Sequence, residues 1–323
     1  MTKIAIMGTI HSDGLIFLKN QGYNILEIVD FSEEKLKSNL KDVDGIVLRT
    51  AKLSKDVLQN CKKLKIVSRH GVGYDNVDLN TINIQKIALA ITGSSNAVSV
   101  AEYVMAMFLN LCRLIKQSDQ LVRDGKFKEK ASLPDFYELY NKNILILGFG
   151  IIGKALANRC LGFESKVLVY DPFVDKKIIE ENYCSAVNFE EGIKKADFIS
   201  LHLPINKETK NIINKDIFQL MKKNCIIVNA ARGGIINEED LHWALTNNKI
   251  YGAAIDVYEQ EPPNNNNPLF NLNNIVFSPH NAALTLECRK RMAVESCENI
   301  FNYLENKSSL KKENIVNKKY INL

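Results

Sequence analysis

The sequence predicts an α/β protein made of two doubly wound parallel-sheet domains. Three observations predict it. Short apolar runs alternate with amphipathic segments almost from end to end, a long helical stretch near residue 100 interrupts the alternation before it restarts, and 323 residues exceed what one core usually supports. Hydrophobic side chains make up 46% and charged ones 24%, close to the globular average, which excludes disordered, collagen-like and disulfide-stapled classes. The formal charge of +5 is compatible with a basic pocket for an acidic small molecule and gives no argument for nucleic acid.

In the first series, Ile4–Met7, Ile25–Ile28, Gly45–Leu48, Lys65–Ser68 and Ala88–Ala90 read as strands. Asp13–Asn20, Ser32–Leu40 and Ser54–Asn60 carry helical spacing with serine caps between them. Strands that alternate with helices lie parallel and are covered on both faces. From Asn96 to Lys126 the pattern predicts one long helix, started by Ser99-Val100-Ala101-Glu102 as a capping box and ended by Gly125. It is longer than one sheet crossing needs and reads as a bridge to a second domain. Residues 127–141 form a mixed-charge connector. The second series comprises Ile144–Leu147, Lys166–Tyr170, Phe198–Leu201, Cys225–Asn229, Gly252–Asp256 and Ile275–Phe277. A helix over Leu284–Asn306 follows, then a Lys- and Asn-rich tail whose cluster Lys311–Lys319 reads as solvated.

Seven cysteines, with no CxxC pair and no His at zinc spacing, point to a reducing compartment and no metal site. The N-terminal apolar run is too short for a signal peptide. The longest apolar stretch, Ala97 to Ile115, is interrupted by Glu102, Asn110 and Arg113 and suits a buried helix. A soluble, cytoplasmic protein without membrane contact is expected.

Asn143–Leu147 is a buried-strand run followed at once by Gly148-Phe149-Gly150-Ile151-Ile152-Gly153 and then by the helical stretch Lys154–Leu161. That is the context a dinucleotide fingerprint requires. Gly148 permits the tight turn, Gly150 lets backbone N–H groups approach a pyrophosphate, and Gly153 lets helix and strand pack closely, with Ile151 and Ile152 opening the helix. The next strand ends in Asp171, 21 residues after Gly150, where an acid can bond an adenosine ribose. A 2′-phosphate at about 4 Å from that carboxylate would cost on the order of 4 kcal/mol at an effective dielectric near 20. The residues that follow are Pro172 and Phe173, not arginine. NAD is therefore the expected cofactor.

Three later strands run into polar loops, at the end of the sheet where such folds bind ligands. They lead into Ala230-Ala231-Arg232-Gly233-Gly234, Asp256-Val257-Tyr258-Glu259-Gln260-Glu261-Pro262 and Ser278-Pro279-His280-Asn281. The ordered set of GxGxxG, Asp, ARGG, an EP pair and PH resembles the D-isomer-specific 2-hydroxyacid dehydrogenase family, over residues 40 to 300. Leu48-Arg49-Thr50 and Arg69-His70-Gly71-Val72-Gly73-Tyr74-Asp75-Asn76-Val77-Asp78 resemble most closely its D-3-phosphoglycerate dehydrogenase members.

The resemblance implies a Rossmann NAD domain, 97–283, inserted into a flavodoxin-like substrate domain formed by 1–96 and 284–323. It also implies a homodimer built on the bridging helix. The roles it implies agree with elementary chemistry. His280 is the acid/base, since imidazole suits proton transfer near neutrality. Glu261 pairs with the imidazole and orients it. Arg232 clamps the substrate carboxylate with its planar fork, or contacts the pyrophosphate. Asp256 is assigned to the nicotinamide amide; Val100 and Asn96 open the bridging helix beside the ring, Asn96 as a substrate contact. Ala230, Ala231, His202 and Pro204 match segments that line the cofactor. Arg49 and Arg69 stand at strand ends, Arg49 reaching the far end of the substrate, while the segment Ser68–Gly73, with His70, Gly71, Val72 and Gly73, offers backbone N–H groups to its carboxylate.

The implied reaction is hydride transfer between NAD(H) and a D-2-hydroxy acid or 2-oxo acid. The leading pair is 3-phosphoglycerate and 3-phosphohydroxypyruvate, in serine biosynthesis. Asn281-Ala282-Ala283-Leu284, His70 and Tyr74 depart from the phosphoglycerate pattern, which leaves open a glyoxylate, hydroxypyruvate or D-lactate-type reductase. A non-catalytic NAD-sensing corepressor-like scaffold on the same fold is the alternative of another class. The sequence ends at Leu323, so the C-terminal serine-sensing domain of longer relatives is not expected.

Overall fold

A computed structural model describes residues 1–321 and 323. The chain divides into two compact units, residues 1–96 with 284–323 and residues 97–283.

The first unit begins with β1 (Lys3–Met7), α1 (Ser12–Asn20), β2 (Asn24–Ile28), α2 (Glu33–Asn39), β3 (Gly45–Leu48), α3 (Lys55–Asn60), β4 (Ile66–Arg69), α4 (Leu79–Ile84) and β5 (Ala88–Ala90). All strand pairs are parallel, in the order β2-β1-β3-β4-β5, the flavodoxin-like arrangement. β3 and β5 are buried along their whole length because helices cover both faces, so they read as unbroken apolar runs. Ser54 caps α3 by accepting the Val57 N–H, and Asp78 caps α4 by accepting that of Thr81.

The second unit opens with α5 (Ala97–Cys112) and α6 (Ile115–Arg123). It continues through β6 (Asn143–Leu147), α7 (Ile151–Gly162), β7 (Lys166–Tyr170), α8 (Lys176–Glu181), β8 (Ser185–Ala186), α9 (Phe189–Lys195), β9 (Phe198–Leu201), α10 (Lys215–Leu220), β10 (Ile226–Asn229), α11 (Glu238–Thr246), β11 (Gly252–Ile255) and β12 (Ile275–Phe277). Its sheet is parallel throughout, in the order β8-β7-β6-β9-β10-β11-β12, with the strand order reversing at β6/β9. That is the Rossmann arrangement extended by one strand, and the two-sheet α/β fold class read from the sequence holds. The chain then returns to the first unit with α12 (Leu286–Leu304) and α13 (Lys318–Ile321).

Three expectations need correction. The single helix expected over Asn96–Lys126 is two helices bent by 55°. Leu114 adopts a left-handed φ of 47° and is only 5% exposed. The break turns Leu114 inward after the polar Asn110 and Arg113, and leaves no residue of α6 buried. The helix also starts at Ala97 rather than at the Ser99 capping box. Finally, the C-terminal tail is docked through its asparagines, Asn314 and Asn317 being buried, although Lys311, Lys312 and Lys319 stay exposed as expected. Asn317 Oδ1 accepts the Leu89 N–H at 2.9 Å, and its Nδ2 donates to the Ile87 carbonyl at 2.8 Å. Ile315 forms an antiparallel bridge with Ala90. The tail thus covers backbone that edge strand β5 would leave unpaired.

Among the described residues no single helix is long and apolar enough to cross a membrane; the bent pair α5–α6 passes on length and composition alone. α5 buries Ala101, Val104, Met105 and Phe108 against the second sheet.

Candidate active site

The glycine loop sits at the carboxyl end of β6, beside the switch point. Gly148 has φ 98°, and a Cβ there would lie 2.6 Å from the His202 carbonyl. A Cβ on Gly153 would lie 2.2 Å from the Gly148 carbonyl oxygen, so α7 packs against the loop only because position 153 lacks a side chain. Gly150 has open space around it, and Ile151 and Ile152 begin α7. Asp171, ending β7, accepts the Phe149 N–H at 2.8 Å and the Phe173 N–H at 2.9 Å, fixing the loop it faces. An exposed loop glycine at a helix N-terminus with a carboxylate beside it fits a dinucleotide's pyrophosphate and ribose.

His202 follows β9, and Pro204 is exposed two residues on. Desolvation pushes the His202 imidazole down to about 4, so it is neutral at pH 7, and its Nε2 lies 2.9 Å from Ser200 Oγ. Val100 is buried within α5, and the Asn96 Oδ1 is buried without a hydrogen-bond partner.

Three loops adjoin at the carboxyl ends of β10, β11 and β12. After β10, Asn229 braces the turn: its Oδ1 accepts from the Ala231 N–H at 3.1 Å and its Nδ2 donates to the Arg232 carbonyl at 2.8 Å. Ala230 follows the strand, and Arg232 Nη1 donates to the Ala231 carbonyl. A Cβ on Gly233 would fall 1.7 Å from the Tyr258 carbonyl oxygen, so this turn touches the β11 loop directly. In that loop the Tyr258 N–H donates to Glu261 Oε1 at 3.2 Å, and the Tyr258 hydroxyl donates to the Ser278 carbonyl at 3.0 Å. Glu261 Oε2 meets His280 Nδ1 at 2.8 Å, with the imidazole about half exposed. Arg232, Glu261 and His280 are therefore brought onto one set of interlocked loops. Asp256 is 1% exposed and accepts from Ser278 Oγ, the Asn281 N–H and the Ala282 N–H. Sequence reading missed Asn229, Tyr258, Ser278 and Tyr103 as supports. Their only signal was position, at or next to strand ends or on the helix packed against them.

The expected substrate residues lie in the first unit. Arg49 ends β3 and its Nη1 donates to the Thr9 carbonyl at 2.9 Å. Arg69 is committed to backbone: Nε donates to the Gly73 carbonyl at 2.5 Å, and Nη1 to the carbonyls of Leu48 (2.6 Å) and Arg49. Its Nε and Nη1 thus tie β3 to the loop through Gly71, Val72 and Gly73. His70 is 7% exposed, its Nε2 has no hydrogen-bond partner, and burial together with the positive Arg49 and Arg69 pushes it down to about 4. The seven cysteines are all buried, and burial raises Cys61 to about 11 and Cys160 to about 12, which disqualifies both as nucleophiles at neutral pH.

Residues 105–282 match the profile of the D-isomer specific 2-hydroxyacid dehydrogenase, NAD binding domain. The chain belongs to that family. It is 36% identical over 301 residues to D-3-phosphoglycerate dehydrogenase of Archaeoglobus fulgidus, an alignment covering 93% of this chain and 57% of that protein. It is 37% identical over 275 residues to hydroxypyruvate reductase of Thermotoga maritima, covering 84% and 88% of the two chains. The chain thus spans little more than half the length of the phosphoglycerate dehydrogenase relatives. The crystal structure of a Pyrococcus horikoshii protein superposes with a TM-score of 0.86 at 29% identity, covering 100% of this chain and 97% of the other. The family's second domain binds NAD, and the glycine cradle and Asp171 of this member fit that cofactor.

Proposed function

We propose that the chain is an NAD-dependent oxidoreductase that moves a hydride between NAD(H) and a D-2-hydroxy acid or its 2-oxo acid. The observation that carries this is the 2.8 Å pairing of His280 Nδ1 with Glu261 Oε2, in the same unit as the glycine loop. Bound nicotinamide supplies or accepts the hydride. Glu261 occupies Nδ1 and so presents Nε2 to the substrate oxygen; Nε2 takes the hydroxyl proton on oxidation and returns it on reduction, a step worth about 10²–10⁴ in rate. The Arg232 guanidinium pairs with the substrate carboxylate and polarises the neighbouring oxygen. Asp171 takes the adenosine ribose and disfavours a 2′-phosphate, and Ala230, Ala231, His202 and Pro204 line the cofactor. The Asp256 carboxylate keeps one acceptor position beyond its three donors for the nicotinamide amide, with Val100 and Asn96 near the ring.

In this reading the first unit is the substrate domain, formed from both chain ends, and the second the inserted NAD domain. Arg49 contacts the far end of the substrate, and Gly71, Val72 and Gly73 offer backbone N–H groups to its carboxylate. The phosphoglycerate/phosphohydroxypyruvate pair is the leading substrate. The engagement of Arg69 with backbone and the bulk of His70 favour a smaller acid such as hydroxypyruvate or glyoxylate as the second reading. A homodimer on the α5–α6 face fits the exposure of Ile115, Val122 and Phe136 around a groove of about 650 Å³, and light scattering tests it. Seven buried thiols fit a reducing cytoplasm.

NADH absorbance, followed with 3-phosphohydroxypyruvate, hydroxypyruvate, glyoxylate, pyruvate and a branched-chain oxo acid, tests the proposal. Turnover on one of these, lost at least a hundredfold in His280→Ala with NADH binding retained, is expected. Silence across the panel with NADH bound would instead favour the scaffold.

A further inference from the structure

The catalytic imidazole sits on an unusual backbone. His280 has φ 51°, the left-handed region that costs a side-chain-bearing residue about 1–2 kcal/mol, so something must hold it there. Three consecutive amides do so. The His280 N–H donates to the Asp256 carbonyl at 2.9 Å, the Asn281 N–H to Asp256 Oδ1 at 2.8 Å, and the Ala282 N–H to Asp256 Oδ2 at 3.0 Å. Successive backbone N–H groups in such a turn form a concave anion site, and here the anion is the buried Asp256 carboxylate. Oδ1 also accepts the Ser278 hydroxyl proton. Since Ser278 has only that one proton to give, its contact with the Tyr103 hydroxyl at 2.5 Å makes Tyr103 the donor. Burial pushes the Tyr103 phenol up to about 12, so it remains a donor across the working pH range. From the helix side Tyr103 and Ser278, and from the loop side the two amides, the donors converge on the Asp256 carboxylate and so link a helix to the loop that carries the acid/base.

We propose that Tyr103 on α5 is a positioning residue for His280: its hydroxyl orients Ser278, Ser278 orients the Asp256 carboxylate, and that carboxylate holds the two amides following the imidazole. This rests on the reading of His280 as the acid/base. The chain predicts coupling between residues that never touch substrate.

The test is a double-mutant cycle in the full-length protein with Tyr103→Phe, Ser278→Ala and the pair. Tyr103→Phe keeps the ring and should lower kcat about three- to tenfold, the cost of one neutral hydrogen bond, with KM and NADH affinity within about twofold of wild type. Ser278→Ala, which removes a bond to a charged group, should lower kcat roughly tenfold or more. The pair should fall no more than about twofold below Ser278→Ala, because the two changes break one chain. Amide exchange of segment 278–283, read by mass spectrometry, should accelerate in both single variants. Effects that multiply in the pair, or unchanged exchange in Tyr103→Phe, would overturn the proposal. If the wild-type protein turned over no oxo acid, the functional reading would fail while the exchange measurement still decided this one.

Discussion

His70 makes the protein sensitive to mild acid. The imidazole is 7% exposed and held down to about 4 by burial first and by Arg49 and Arg69 second. In the unfolded chain an ordinary histidine titrates near 6.5, so between these values the unfolded state binds the proton and the folded state refuses it. The folded value is the lower one for a cationic acid, so stability is intact above about pH 7, falls between roughly pH 6.5 and 4, and flattens below. At pH 5 the loss is about 2 kcal/mol, and it approaches about 3 kcal/mol at pH 4, a sizeable share of a net stability of roughly 5–15 kcal/mol. His70→Gln removes the titration while keeping a polar side chain of similar reach. Urea unfolding between pH 7.5 and 5 should show the variant losing about 2 kcal/mol less than wild type. A variant that loses as much as wild type, or a His70 ring titrating above pH 6 by NMR, would refute the reasoning.

Other outcomes follow from close backbone approaches and from the docked tail. Gly233→Ala puts a methyl group into the Tyr258 carbonyl and should displace the Arg232 turn, lowering kcat at least about tenfold at a stability cost of about 1–3 kcal/mol, read by kinetics and thermal unfolding. Gly153→Ala pushes α7 off the Gly148 carbonyl and should weaken NADH binding at least about tenfold in a fluorescence titration, at unchanged affinity for the oxo acid. Asn317→Ala strands the buried Leu89 N–H and Ile87 carbonyl and should cost about 2–4 kcal/mol in urea unfolding, with kcat nearly unchanged.

The fold was legible because parallel strands covered on both faces read as short apolar runs between amphipathic segments, and each run read as a strand became one. Ser185–Ala186 escaped because two residues carry no period. The break at Leu114 escaped for a related reason: helical periodicity registers which residues are apolar, and Leu114 stays apolar whether the helix continues or turns it inward. The tail misled more deeply. Lysine and asparagine are correctly read as surface formers on average, yet asparagine's paired donor and acceptor match an open strand edge, and Asn317 uses both on β5. Composition cannot distinguish an asparagine facing water from one facing unpaired backbone.

The site divides along the same line. Arg232, Glu261 and His280 could be singled out because they lie in the loops after β10, β11 and β12, where this architecture gathers ligands, and within the ordered motifs that carry the family resemblance. Their supports were not, because a support is defined by what it touches. Tyr258 is a buried aromatic, yet its N–H meets Glu261 of its own loop while its hydroxyl and carbonyl meet two neighbouring loops, at Ser278 and at the flank of Gly233. Arg69 shows the converse, a cation with every outward sign of a substrate ligand whose Nε and Nη1 donate to the backbone carbonyls of Gly73, Leu48 and Arg49. A charged residue at a strand end is therefore evidence of function only once its partners are counted. The pairing of Glu261 with His280 survives that count, since Glu261's other oxygen is pinned by the Tyr258 amide and the carboxylate has little choice but to face the ring.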